Sequence, residues 1–88
     1  MTNYDILIKK SAKKDLEILP KKERKTIYKR IENLAKDPLP RGCKQLRGLK
    51  NLYRLRFGNY RIVYQIDNNE LAIVVIRVGN RRNVYRSL

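Results

Sequence analysis

The 88-residue chain has no histidine, no tryptophan, one cysteine, four glycines, three prolines and only eight acidic residues. Each scarcity excludes a class of chemistry. Without histidine and with a single thiol, neither a zinc site nor a Cys–His nucleophile can be assembled from the usual ligand sets. Four scattered glycines leave no phosphate loop and no dinucleotide fingerprint. The longest apolar run, Leu71 to Ile76, is far short of the roughly 20 residues that a membrane helix needs. The opening Met1-Thr2-Asn3-Tyr4-Asp5 lacks the basic-then-apolar order of a secretory signal. Cys43 has no second cysteine to pair with, which fits a reducing, cytoplasmic setting. Between Arg41 and Lys44 it reads as a small packing residue rather than a reactive thiol. The expectation is therefore a protein with no metal, no cofactor and no membrane partner.

What is abundant is positive charge: 22 Lys and Arg against eight Asp and Glu, a net +14. Apolar residues make up 42 %, too many for a disordered basic tail. The length permits one domain over residues 1–88 with a small core. Such a domain should meet a polyanion. The bases are also sorted by type. Nine of the 11 lysines lie in residues 1–37, and nine of the 11 arginines lie in residues 38–88. Lysine solubilises helix surfaces, whereas the planar guanidinium matches phosphate oxygens. The split predicts a solvated helical half and an anion-binding half.

The apolar periodicity supports that division. Tyr4, Ile6 and Ile8 alternate as a short first strand. Ser11 is placed to cap a helix carrying Ala12, Leu16 and Leu19, which stops near Pro20. A second helix is predicted from Lys22 to Lys36, with Ile27, Ile31 and Leu34 on its apolar stripe. It ends at Asp37-Pro38-Leu39-Pro40. After Gly42 the period becomes two. Leu52–Phe57 and Tyr60–Ile66 read as strands joined through Gly58-Asn59, and Leu71–Val78 as a third strand after the Asp67–Glu70 turn. The order β-α-α-β-β-β predicts an α+β fold, a helical hairpin packed on an antiparallel sheet.

A Gly58-Asn59 turn pairs Phe57 with Tyr60, Arg56 with Arg61 and Arg54 with Val63. Tyr53, Leu55, Phe57, Tyr60, Ile62 and Tyr64 then share one face, and Arg54, Arg56 and Arg61 the other. Like charges directly opposite one another are destabilising by roughly 0.2–1 kcal/mol per pair. A solvated basic face is the plain reading. A phosphate site on fixed strands accounts better for arginines set against a packed apolar face with no carboxylate nearby. A second basic group, Gly79-Asn80-Arg81-Arg82-Asn83-Val84-Tyr85-Arg86, follows the last strand. Tyr85 distinguishes it from an ordinary solvated tail, because an aromatic among phosphate-binding bases can stack on a base or handle a proton.

Lys44-Gln45-Leu46-Arg47-Gly48, Tyr53-Arg54-Leu55-Arg56, Tyr60-Arg61-Ile62-Val63-Tyr64-Gln65 and Val78-Gly79-Asn80-Arg81-Arg82 with Val84-Tyr85 together resemble the RelE-type toxins of the RelE/ParE superfamily. The resemblance spans nearly the whole chain. It implies the RelE-like, microbial RNase-type fold and a ribosome-dependent endoribonuclease that cuts mRNA in the A site. By motif, the family's active-site positions fall on Arg54, Arg56, Arg61, Arg81 and Tyr85. Arginine stands at 54 and 56 where RelE has lysine, which keeps the charge but removes an easily shifted ammonium. The resemblance thus assigns catalysis to Arg61, Arg81 and Tyr85, and RNA phosphate binding to Arg54, Arg56, Arg47 and Arg82.

Elementary chemistry agrees. With no histidine, and with the late carboxylates Asp67 and Glu70 in a turn, Tyr85 is the available base for attack by the RNA 2′-OH, giving a 2′,3′-cyclic phosphate. Arg61 would stabilise the phosphorane, and by the family's mechanism Arg81 assists the leaving oxygen. The resemblance also implies an acidic, RelB-like antitoxin that wraps the toxin, alongside the ribosome and mRNA as partners. Val63, Val74 and Ile76 share the arginine face by strand register; they serve either as part of the antitoxin docking surface or as cover for the chain's own C-terminus. Two other readings compete with the interferase. One is a ParE-like inhibitor of DNA gyrase, the other an RNA- or ribosome-binding module without catalysis.

Overall fold

The computed structural model describes residues 3–48 and 50–80. Its elements are β1 (Asp5–Ile8), α1 (Lys10–Glu17), α2 (Lys21–Leu34), β2 (Cys43–Gln45), β3 (Leu52–Phe57), β4 (Tyr60–Asp67) and β5 (Ala72–Asn80). The strands form one sheet in the order β1-β5-β4-β3-β2, and both helices bury their apolar stripes against it. This is the expected α+β arrangement with two additions. A three-residue β2 pairs with β3, and β1 joins β5 in parallel while the remaining pairs are antiparallel. No helix among the described residues is long and apolar enough to cross a membrane.

The helices follow their apolar spacing, with corrections at their ends. In α1, Ala12 and Leu16 are buried one turn apart, and the helix stops at Glu17, so Leu19 packs on the core from beyond its end. Ser11 does not cap α1. The N-cap is Lys9, without a side-chain bond, and the Ser11 hydroxyl donates instead to the Ile76 carbonyl at 2.7 Å. Pro20 stands at the N-cap of α2, where a missing N–H removes no helical hydrogen bond. That helix closes at Leu34, two residues before Lys36.

Ile27, Ile31 and Leu34 meet Leu16, Leu55, Ile62, Tyr64, Ile73, Val75 and Val78 in a single core. Each fully buried Leu or Ile contributes about 1.5–3 kcal/mol relative to exposure. Tyr64 is the largest of the fully buried side chains. Its hydroxyl donates to the Pro38 carbonyl at 2.7 Å, and its ring stacks on Tyr53 with centroids 6.0 Å apart. Burial, then the neighbouring Cys43, pushes the Tyr64 phenol well above its ordinary range, so it remains a donor. Near the 58–59 turn, the Arg30 guanidinium of α2 lies 4.7 Å from the centre of the Phe57 ring.

Among the described residues no strand lies beside the second half of β5 past Ile8, and α1 takes over. Lys9 N–H donates to the Val75 carbonyl, and Ser11 continues at Ile76. Asp15 accepts the Val78 N–H at 2.9 Å and, through both carboxylate oxygens, two bonds from the Arg77 guanidinium at 2.9 and 3.1 Å. Side chains thereby occupy an edge that would otherwise invite strand pairing.

Candidate polyanion-binding face

Gly58 has φ +55°, the left-handed value that a two-residue hairpin with glycine in first position needs. The register is the one its turn predicts: Phe57 opposite Tyr60, Arg56 opposite Arg61, and Arg54 opposite Val63. Leu55, Ile62 and Tyr64 point into the core, with Tyr53, Phe57 and Tyr60 packed against it. Period-2 geometry therefore turns Arg54, Arg56, Arg61 and Val63 to the opposite face.

The neighbouring strands widen that face. Lys44 of β2 sits opposite Arg54, while Arg77 and Gly79 of β5 sit opposite Val63 and Arg61. Two rows result, Lys44–Arg54–Val63–Arg77 and Arg56–Arg61–Gly79. Lys44 had no strand signal, because a run of three residues is too short to show alternation. Arg56 is exposed, Arg54 half-buried, and Arg61 only 8 % exposed. Arg77 reaches the row by register, but its guanidinium is committed to Asp15. The row thus carries three cations, Lys44, Arg54 and the ion-paired Arg77, around the buried Val63.

Arg47 is not brought to this cluster. It lies in the β2–β3 connection, with Gln45, Leu46, Gly48 and Lys50 around a shallow concavity of about 490 Å³. That is the opposite end of β3 from Arg56, roughly 13 Å or more along the strand. Asp67, also distant from Arg61, accepts the Asn69 and Glu70 N–H groups at 3.0 and 3.1 Å and is committed to its turn. Arg81, Arg82 and Tyr85 lie outside the described residues.

The apolar positions are more varied than their spacing implies. Val63 is 0 % exposed, so within this chain it offers no surface for docking. Val74 is half-buried opposite Gln65, on the arginine face. A bulge between Val63 and Tyr64 puts Arg77, not Ile76, opposite Val63, and leaves Ile76 half-buried without a ladder partner. Leu7, 56 % exposed, is the parallel partner of Val74 and extends the apolar strip. The alternation of β1 contained that signal, but the parallel pairing that places Leu7 beside Val74 did not show in the sequence.

Chemically, the face offers guanidinium forks and an ammonium on a rigid support, suited to phosphate oxygens. Arginine holds charge and is a poor proton carrier, so a face of this composition is suited to holding an anion rather than to moving a proton. The family of ParE toxins of type II toxin–antitoxin systems (parDE) matches residues 6–85. The toxin RelG of Mycobacterium tuberculosis is 30 % identical over 94 % of this chain and 97 % of its own. Among solved structures, the RelBE2 toxin–antitoxin complex of M. tuberculosis superposes with a TM-score of 0.81 at 31 % identity, covering 92 % of this chain and 94 % of that one. The archaeal RelE–RelB complex of Pyrococcus horikoshii gives 0.79 at 30 % identity, covering 94 % and 99 %. Fold, arginine face and relatives converge: the chain belongs to the RelE/ParE superfamily and is a RelE-type toxin of a type II toxin–antitoxin system.

Proposed function

We propose that this toxin is a ribosome-dependent endoribonuclease that cleaves mRNA in the ribosomal A site and so inhibits translation. The observation that carries the proposal is the pairing of Arg56 with Arg61 across a rigid ladder, with Lys44 and Arg54 in the next row. Cations so placed suit a phosphodiester undergoing attack by its own 2′-OH, which leaves a 2′,3′-cyclic phosphate. Arg61 stabilises the phosphorane, while Arg54, Arg56 and Arg82 hold flanking phosphates. Tyr85 takes the 2′-OH proton and Arg81 assists the departing 5′-oxygen. Arg47, at the far end of β3, holds RNA beyond the cleaved link. A site without histidine depends on external orientation of its substrate, and a ribosome supplies that by holding mRNA in line. The work is cytoplasmic, where ribosomes are.

The silencing partner is an acidic, RelB-like antitoxin that neutralises the arginine face, in keeping with the toxin–antitoxin complexes among the structural relatives. Val74 and Ile76, joined by Leu7, give its apolar side a strip to rest on. Incubating the toxin with mRNA-programmed ribosomes and mapping the ends by primer extension tests the activity. A-site cuts are expected, and intact mRNA on toxin-bound ribosomes would refute it. One observation favours a second reading, inhibition of DNA gyrase, namely the match to the ParE toxin family. A supercoiling assay separates the two, since an interferase leaves gyrase working.

A further inference from the structure

Gly79 occupies a place in β5 that the fold does not reserve for glycine. Its φ is outside the left-handed region, unlike Gly42, Gly48 and Gly58. Among the described residues, and apart from its chain neighbours, a Cβ built on it would meet no atom within 4 Å. Neither backbone conformation nor packing among the described residues therefore demands the residue, although glycine weakens a strand through its backbone freedom and missing contacts. Position is what sets it apart. Gly79 is the ladder partner of Arg61, in the row that continues to Arg56. Directly opposed Cβ atoms stand about 4.5–5.5 Å apart, so among the described residues the missing side chain leaves space immediately beside Arg61. Glycine within a strand often marks a close approach by a ligand or another backbone.

We infer that Gly79 keeps a side-chain-free floor in the arginine face, on which a ribose–phosphate unit of RNA lies with its phosphate directed to Arg61 and Arg56. The inference rests on the reading of this face as an RNA site and assigns a subsite within it. Any side chain at 79 would stand where the sugar lies, and the obstruction grows with its size. Folding would be unharmed, since alanine or valine fits the strand without strain.

The test uses the complete chain, with Gly79→Ala and Gly79→Val, and Arg54→Ala as the control for the face. The probe is a fluorescent hexaribonucleotide made uncleavable by 2′-O-methylation, followed by anisotropy, with thermal midpoints measured in parallel. Both glycine variants should melt at or above the parent. Gly79→Ala should bind several-fold more weakly, and Gly79→Val about tenfold or more, the scale on which one added methyl group is rejected by a fitted site. A lower midpoint for Gly79→Ala would show that the fold needs the glycine and overturn the inference. Gly79→Val binding like the parent while Arg54→Ala binds weakly would overturn the subsite and leave the RNA face standing. No binding by the parent, or none lost in Arg54→Ala, would remove the RNA reading and the subsite with it.

Discussion

Arg56 on β3 and Arg61 on β4 are direct ladder partners, on the face turned away from the helices. Opposed like charges cost stability, so this pair marks a surface that the fold alone would not favour. Replacing Arg56 by threonine, a good strand residue, should raise stability by about 0.2–1 kcal/mol. The same change should weaken RNA binding. Urea denaturation alongside RNA titration checks both halves, and a less stable Arg56→Thr protein would remove the argument.

Phosphate contacts also leave a signature in salt. Each phosphate neutralised on a single strand contributes about 0.7 to the slope of log affinity against log salt. Arg54→Ala should therefore flatten that slope by about 0.7 as well as lower affinity. An unchanged slope would place Arg54 away from the RNA backbone.

Asp15 ties α1 to the second half of β5 through Val78 and Arg77. Hydrogen bonds to charged groups are worth about 1.5–3 kcal/mol, and Asp15→Ala should lose an amount in that range. Asp15→Asn should lose less, because its carbonyl can still accept the Val78 N–H. Hydrogen exchange at Val78 reads the edge directly. Protection there should fall in Asp15→Ala while Ile62, in the central strand, remains protected.

Tyr64 provides a pH test. Its phenol is raised above the ordinary value of 10.0 by burial first and Cys43 second. The folded state thus holds a proton that the unfolded chain releases from about pH 10 upward. Its contribution is complete below that pH and is lost as pH rises from there toward the folded-state value. Stability of the parent should consequently drop above pH 10 more steeply than that of Tyr64→Phe, by roughly 1.4 kcal/mol per unit in that window. At neutral pH, Tyr64→Phe should cost about 0.5–1.5 kcal/mol for the lost bond to Pro38.

Much of this arrangement was legible in the residues themselves. Gly58-Asn59 between two alternating runs determined the β3–β4 register, and with it the faces of Arg54, Arg56 and Arg61. Ile27, Ile31 and Leu34 marked the buried stripe of α2 in the same way. What escaped depends on distant partners. The bulge opposite Val63, the parallel pairing of Leu7 with Val74, and the recruitment of Ser11 to Ile76 all arise where β1 ends and α1 covers β5. No local pattern encodes such meetings. Lys44 was hidden for another reason, since β2 has only three residues.

The central claim is that Arg61 stabilises charge on the RNA phosphate during cleavage. The most direct measurement is the single-turnover rate of A-site cleavage on programmed ribosomes, with saturating parent or Arg61→Ala toxin. Loss of one preorganised charge-stabilising group costs about 10²–10³-fold, so the variant should be slowed by that order while still occupying the ribosome. Cleavage at the parental rate by a folded, ribosome-bound Arg61→Ala protein would contradict the account.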